Sequence, residues 1–148
     1  IFEQKIRMLI SNIFSIDREG GTFEEKLRRK IEAHFEILKK NPKIPFLVIN
    51  EITTNPERIA SLRDSIGELP LSVYATFEQD LQKEIAQGRV RETNALDLMF
   101  SALSLNLATF LVRPVLQNIL GLTDEAMDGF LEHRKEENVK IILQSLKP

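Results

Sequence analysis

The feature that most constrains this chain is the stretch at 98–112, LMFSALSLNLATFLV, fifteen residues without a charge between Asp97 and Arg113-Pro114. So apolar a segment has three fates: it crosses a membrane, fills a core, or meets a second copy of itself. A bilayer asks for about 20 consecutive apolar residues, and the run is shorter. It also carries Ser101, Ser104, Asn106 and Thr109 and lacks aromatic anchors and a basic flank. No membrane span is therefore expected. A helix that is apolar all round has to be covered all round. One domain's own fold covers one face, and the other calls for a partner, most commonly a symmetric copy. The segment is expected to be half core and half homodimer seam.

With 148 residues the chain has the length of one domain, large enough to bury most of its apolar side chains. A share of 43% hydrophobic against 28% charged residues is that of a folded domain, not a disordered one. The formal charge of −2 gives the chain as a whole no electrostatic reason to seek DNA or anionic lipid. The lack of cysteine excludes disulfides, thiolate metal sites and thiol chemistry, and fits a reducing, cytoplasmic setting. The opening IFEQKIRMLISNIF has no initiator Met, no cap and no signal-peptide layout. Phe2, Ile6, Leu9 and Ile13 already share one helical stripe, so this helix is expected to continue from a segment upstream.

Helical punctuation recurs along the chain. Thr22 stands three residues before Glu25, the spacing of a capping box, ahead of an apolar stripe of Phe23, Leu27, Ile31, Phe35 and Leu38. Asn41-Pro42 ends that helix. PFLVINEI, from Pro45, reads as a short, mostly buried helix, with a buried strand as the rival over so few residues. Asn55-Pro56 starts another helix carrying Ile59, Leu62 and Ile66, and Pro70 must kink or split it. Val73, Phe77, Leu81 and Ile85 continue to Gly88, a left-handed C-cap. Asn94 opens the charge-free segment, Pro114 bends it, and Thr123 opens a last helix bearing Met127, Phe130, Leu131, Ile141, Ile142 and Leu146. The glycines are expected at helix ends and turns. The fold class is all-α, an antiparallel bundle of about six to seven helices forming one domain over 1–148.

The inventory for catalysis is thin: no Gly-rich phosphate loop, no nucleophile elbow and no HExxH. Glu132, His133, Glu136 and Glu137 cluster on the last helix, where a solvated charged face competes with a metal site. No metal, cofactor or catalytic residue is assigned. His34 lies on the buried stripe, either as a hydrogen-bonded core histidine or as a polar contact in a ligand cavity. Glu51 sits in an apolar segment, either paired with a base such as Arg58 or pointing into a pocket. Tyr74 and Phe77 follow the Pro70 break and are candidates to line the same space, since helices held apart leave gaps that hold ligands.

Two stretches, KLRRKIEAHFEILKKNPKIPFLVINEITTNPERI and EIAQGRVRETNALDLMFSALSLNLATFLVRPVL, resemble the C-terminal regulatory domain of TetR/AcrR-family transcriptional regulators. The matching features are Asn41, Pro42, Pro45, Phe46 and Glu51 with the following Asn55-Pro56. A turn from Glu84 to Arg91 then leads into the long apolar helix ending at Arg113-Pro114. The resemblance runs from residue 1 to about residue 146. It implies an N-terminal helix-turn-helix domain, joined through residues 1–16, that binds DNA where this domain does not. It further implies a small, hydrophobic effector held between helices, and a four-helix seam with a partner subunit. On this basis the ligand contacts are expected among His34, Phe35, Leu38 and Glu51, and among Tyr74, Phe77, Phe100 and Ser104. The seam is expected at Leu103, Asn106 and Phe110, and at Met127, Phe130, Arg134 and Ile141. A helical module that dimerises without a ligand is the alternative, and an enzyme using His34 and Glu51 in one cavity is the third reading.

Overall fold

The structure, a computed structural model, describes the backbone at residues 2–14, 20–67 and 69–148, and within these every side chain except those at 2, 13, 14, 62, 63, 65, 66, 69 and 70. The stripe positions Phe2, Ile13, Leu62 and Ile66 and the ring of Pro70 therefore lie outside the described side chains. The elements are α1 (Phe2–Phe14), α2 (Phe23–Lys40), α3 (Ile44–Thr54), α4 (Pro56–Ile66), α5 (Leu69–Ala86), α6 (Ala95–Leu111), α7 (Arg113–Ile119) and α8 (Asp124–Ser145). Among the described residues there is no strand, and α6 and α7 are one rod bent at Val112, so seven rods make the all-α bundle.

Local chemistry sets the helix ends. The Thr22 hydroxyl accepts the Glu25 amide at 3.1 Å, Asn94 accepts that of Asp97 at 2.9 Å, and Thr123 accepts that of Ala126 at 3.1 Å. Each satisfies one of the first-turn donors that a helix leaves open. Gly67 (φ +77°) and Gly88 (φ +76°) close α4 and α5 in the left-handed region that side chains avoid. The chain therefore splits before Pro70, which falls in the first turn of α5, where a missing amide costs nothing. Beyond Gly88, the Arg91 guanidinium donates to the Ser145 carbonyl at 2.5 Å and its amide to the Leu146 carbonyl at 2.9 Å, tying the α5–α6 turn to the end of α8.

Three helices, α2, α6 and α8, thread two apolar clusters. One gathers Leu27, Ile31, Phe77, Leu81, Leu98, Ala102, Val139 and Leu143; the other gathers Phe35, Leu38, Ile44, Phe110, Met127 and Leu131. Residue numbers rise together from the first cluster to the second on α2 and α6 and fall on α8, so α8 runs antiparallel to the other two. Between the clusters, at the same level on all three helices, lie His34, Asn106 and Asn138, each at most 5% exposed.

Three expectations need correction. PFLVINEI is helical but not mostly buried: Ile44, Pro45 and Glu51 face inward while Phe46, Leu47, Ile49 and Ile52 are exposed, because α3 covers only one side of the bundle end. Gly129 sits inside α8, not at a turn. The apolar rod is also longer than the charge-free run, because the helix resumes after Pro114. Ala95–Ile119 spans 25 residues and is by length and composition long enough to cross a bilayer. Asn106 and Thr109 are turned inward onto α2 and α8.

Candidate functional site

Where α1, α2, α5 and α6 diverge they leave a cavity of about 260 Å³. Helical spacing puts Leu27, Lys30, Ile31 and His34 of α2 on one wall, since positions three and four apart share a face. Leu98, Met99, Ala102, Leu103 and Asn106 of α6 form the facing wall, Val73 and Phe77 of α5 a third, and Leu9 and Ile10 of α1 the remainder. Phe23 stacks on Phe77 with ring centroids 5.7 Å apart, and the Lys30 ammonium lies 4.9 Å from the Phe77 centroid. The walls are carbon except at Lys30, His34 and Asn106.

These last two belong to the layer between the clusters. The Asn106 amide nitrogen lies 3.0 Å from the Ile31 carbonyl, to which it donates, and 3.0 Å from His34 Nδ1. Asn138 Nδ2 donates to Asn106 Oδ1 at 3.0 Å, and Arg134 Nε donates to Asn138 Oδ1 at 2.7 Å. Thr109 completes the layer, 3.4 Å from Asn138 Nδ2, with its own hydroxyl given to the Leu105 carbonyl at 2.8 Å. Buried amides so paired hold a unique register, since leaving one unpaired costs about 1–3 kcal/mol. Burial lowers the His34 imidazole from 6.5 to about 4, so the ring is neutral at neutral pH.

Of the expected ligand contacts, the structure brings His34 and Phe77 to the cavity. Phe35 and Leu38 lie on the far side of the polar layer, where Phe35 packs on Phe110 at 5.0 Å between centroids. Tyr74 is half-buried against the first cluster and is not a wall residue. Phe100 and Ser104 point outward, Phe100 being 72% exposed, because they sit on the helix face opposite Ala102 and Asn106. Glu51 receives Arg58 Nη1 at 3.1 Å at the α3–α4 junction and does not share a cavity with His34.

The expected seam divides as well. Asn106, Phe110 and Met127 are at most 1% exposed within their own chain, so they are corrected from surface to core. Phe130 packs partly on the second cluster, and Arg134 serves the polar layer. Leu103 and Ile141 remain on the outside, at 43% and 38% exposed. The apolar surface that α6 and α7 do leave open is formed by Leu96, Phe100, Leu103, Val112, Val115 and Ile119.

A second, larger hollow of about 500 Å³ lies between α2 and α8, lined by Glu24, Arg28, Glu32, Glu132, Glu136 and Lys140 among others. Lys39 and Lys135 both reach Glu132, at 2.9 and 3.2 Å, and Lys135 also reaches Glu36 at 2.8 Å. The hydrogen bond to Lys39 holds the Glu132 carboxyl below its ordinary range, and that to Glu36 raises the Lys135 ammonium. Within the charged cluster on α8, Glu132 is thus ion-paired, and among the described residues no three His, Asp or Glu side chains gather as a metal site. Set against known protein families, curated proteins and solved structures, the chain matches none.

Proposed function

We propose that this chain is the effector-sensing, dimerising domain of a TetR/AcrR-like transcriptional regulator, working in the cytoplasm with DNA read by a helix-turn-helix domain preceding α1. The observation that carries the reading is the carbon-walled cavity with one polar corner, closed on one side by Leu9 and Ile10 of α1. A molecule that fits one disposition of α1 better than another shifts the population of that disposition, by no more than its difference in affinity for the two. In a dimer, α1 would carry this shift to the spacing of two DNA-reading heads. The exposed Leu96, Phe100 and Ile119 support a second copy as the cover, being apolar side chains left open on a rod whose other face is core.

Sedimentation equilibrium of the purified chain, with a thermal-shift screen of small hydrophobic compounds, tests both halves of the proposal. A dimer stabilised by some of these compounds is expected. A dimer that no compound stabilises favours the ligand-independent module, for which the same exposed stripe speaks. A monomer at high micromolar concentration overturns both readings.

A further inference from the structure

Resting on that reading of the cavity, we infer that its ligand is a neutral, mostly apolar molecule carrying one carbonyl-type acceptor, seated on the Nε2–H of His34. The Arg134 guanidinium can only donate. Its Nε therefore points at an oxygen, which fixes Oδ1 of Asn138 on that side and turns Nδ2 toward Asn106. Asn106 must then receive on its own Oδ1 and present its NH₂ to α2. The Ile31 carbonyl, which can only accept, demands the same orientation from the other end. One of the two amide hydrogens goes to Ile31 and the other to His34 Nδ1, so Nδ1 accepts. In a neutral ring the proton then resides on Nε2.

That nitrogen has no hydrogen-bond partner among the described residues, and His34 is one of the residues that line the cavity. His34 is 5% exposed and lies on the cavity wall. Asn106 has both hydrogens and its oxygen spent, and Lys30 is held over the Phe77 ring. The deep wall therefore offers one donor in a field of hydrocarbon. A buried donor left without an acceptor is costly, so an acceptor atom on the ligand is selected at this one place. The cavity's about 260 Å³, scaled from an apolar cavity of about 150 Å³ that holds benzene, accommodates on the order of ten non-hydrogen atoms.

Butyrophenone and butylbenzene differ by one carbonyl oxygen and have this size, and phenylbutyrate adds a charge. Calorimetric titration of the purified chain should show butyrophenone binding about tenfold tighter than butylbenzene, the worth of one buried hydrogen bond. In His34→Leu the preference should vanish while butylbenzene still binds. Nitrogen-15 spectra of the wild-type histidines should show the His34 proton on Nε2 and a shift there on adding butyrophenone, a readout that needs no variant. Equal binding of ketone and hydrocarbon, tighter binding of phenylbutyrate, or a proton on Nδ1 overturns the inference and leaves the cavity reading intact. Binding of none of the three overturns both.

Discussion

His34 makes the domain's stability depend on pH in a window where few other groups titrate. Its conjugate acid is lowered from 6.5 to about 4 by burial, so the folded state favours the neutral ring. Above the unfolded value the contribution is fully present, and it is lost as pH falls through 6.5 toward the folded value of about 4, because the unfolded chain binds the proton first. At about 1.4 kcal/mol per pH unit the full loss is ~3 kcal/mol, of which ~2 kcal/mol is gone by about pH 5. Carboxylates titrate near the end of the same window, so the measurement is a difference. His34→Gln keeps an acceptor for the Asn106 amide but does not titrate, and His133 is common to both proteins. Urea unfolding followed by circular dichroism at several pH values gives both stabilities. The gap between wild type and His34→Gln should move by ~2 kcal/mol between about pH 7 and 5, against the wild type. A gap that stays constant across this range would refute a neutral, enclosed imidazole.

Four more perturbations separate the parts of the structure. Asn106→Leu removes three buried hydrogen bonds at once, those to Asn138 Nδ2, His34 Nδ1 and the Ile31 carbonyl; a loss of ~2–4 kcal/mol in chemical unfolding is expected, well above a surface substitution. Leu81→Ala, at a fully enclosed position of the first cluster, should cost ~2–5 kcal/mol, and a cost under 1 kcal/mol would mean that the cluster is not packed. Phe100→Arg, on the open face of α6, should weaken self-association in sedimentation while leaving monomer stability within ~0.5 kcal/mol. Arg58→Ala leaves the enclosed Glu51 carboxylate without its cation; a loss of ~1–2 kcal/mol is expected, kept small because Arg58 itself is mostly in solvent.

Helix positions and caps were legible because their causes are local: Thr22, Asn94 and Thr123 each accept the amide three residues on, whatever packs nearby. Facing was harder. His34 could be placed on the inner stripe of α2, but whether it met a cavity or a neighbour depended on α6, and it meets both. In a helix apolar on every side, hydropathy does not tell which residues turn inward: the sequence points Phe110 to the seam and Phe100 to the cavity, whereas the bundle buries the first and exposes the second. Asn138 carries a signal of its own that the apolar stripe of α8 hides: its place in the register of Met127, Leu131 and Ile142 marks an amide among inward positions. The hollow at Leu9 and Ile10 had no signal in α2 or α6 alone, because it exists only where four helices part.

The stratum of amides between the two clusters also limits how the domain can deform. Sliding α8 along its neighbours by one turn, about 5.4 Å, would carry Asn138 out of reach of Asn106 and into the company of leucine or phenylalanine. Piston strokes of the central trio are thereby penalised, whereas tilts of α1 and α5, which hold no place in that stratum, are not. Mechanical traffic out of the hollow should thus leave through the outer helices, with the inner three as a stationary frame.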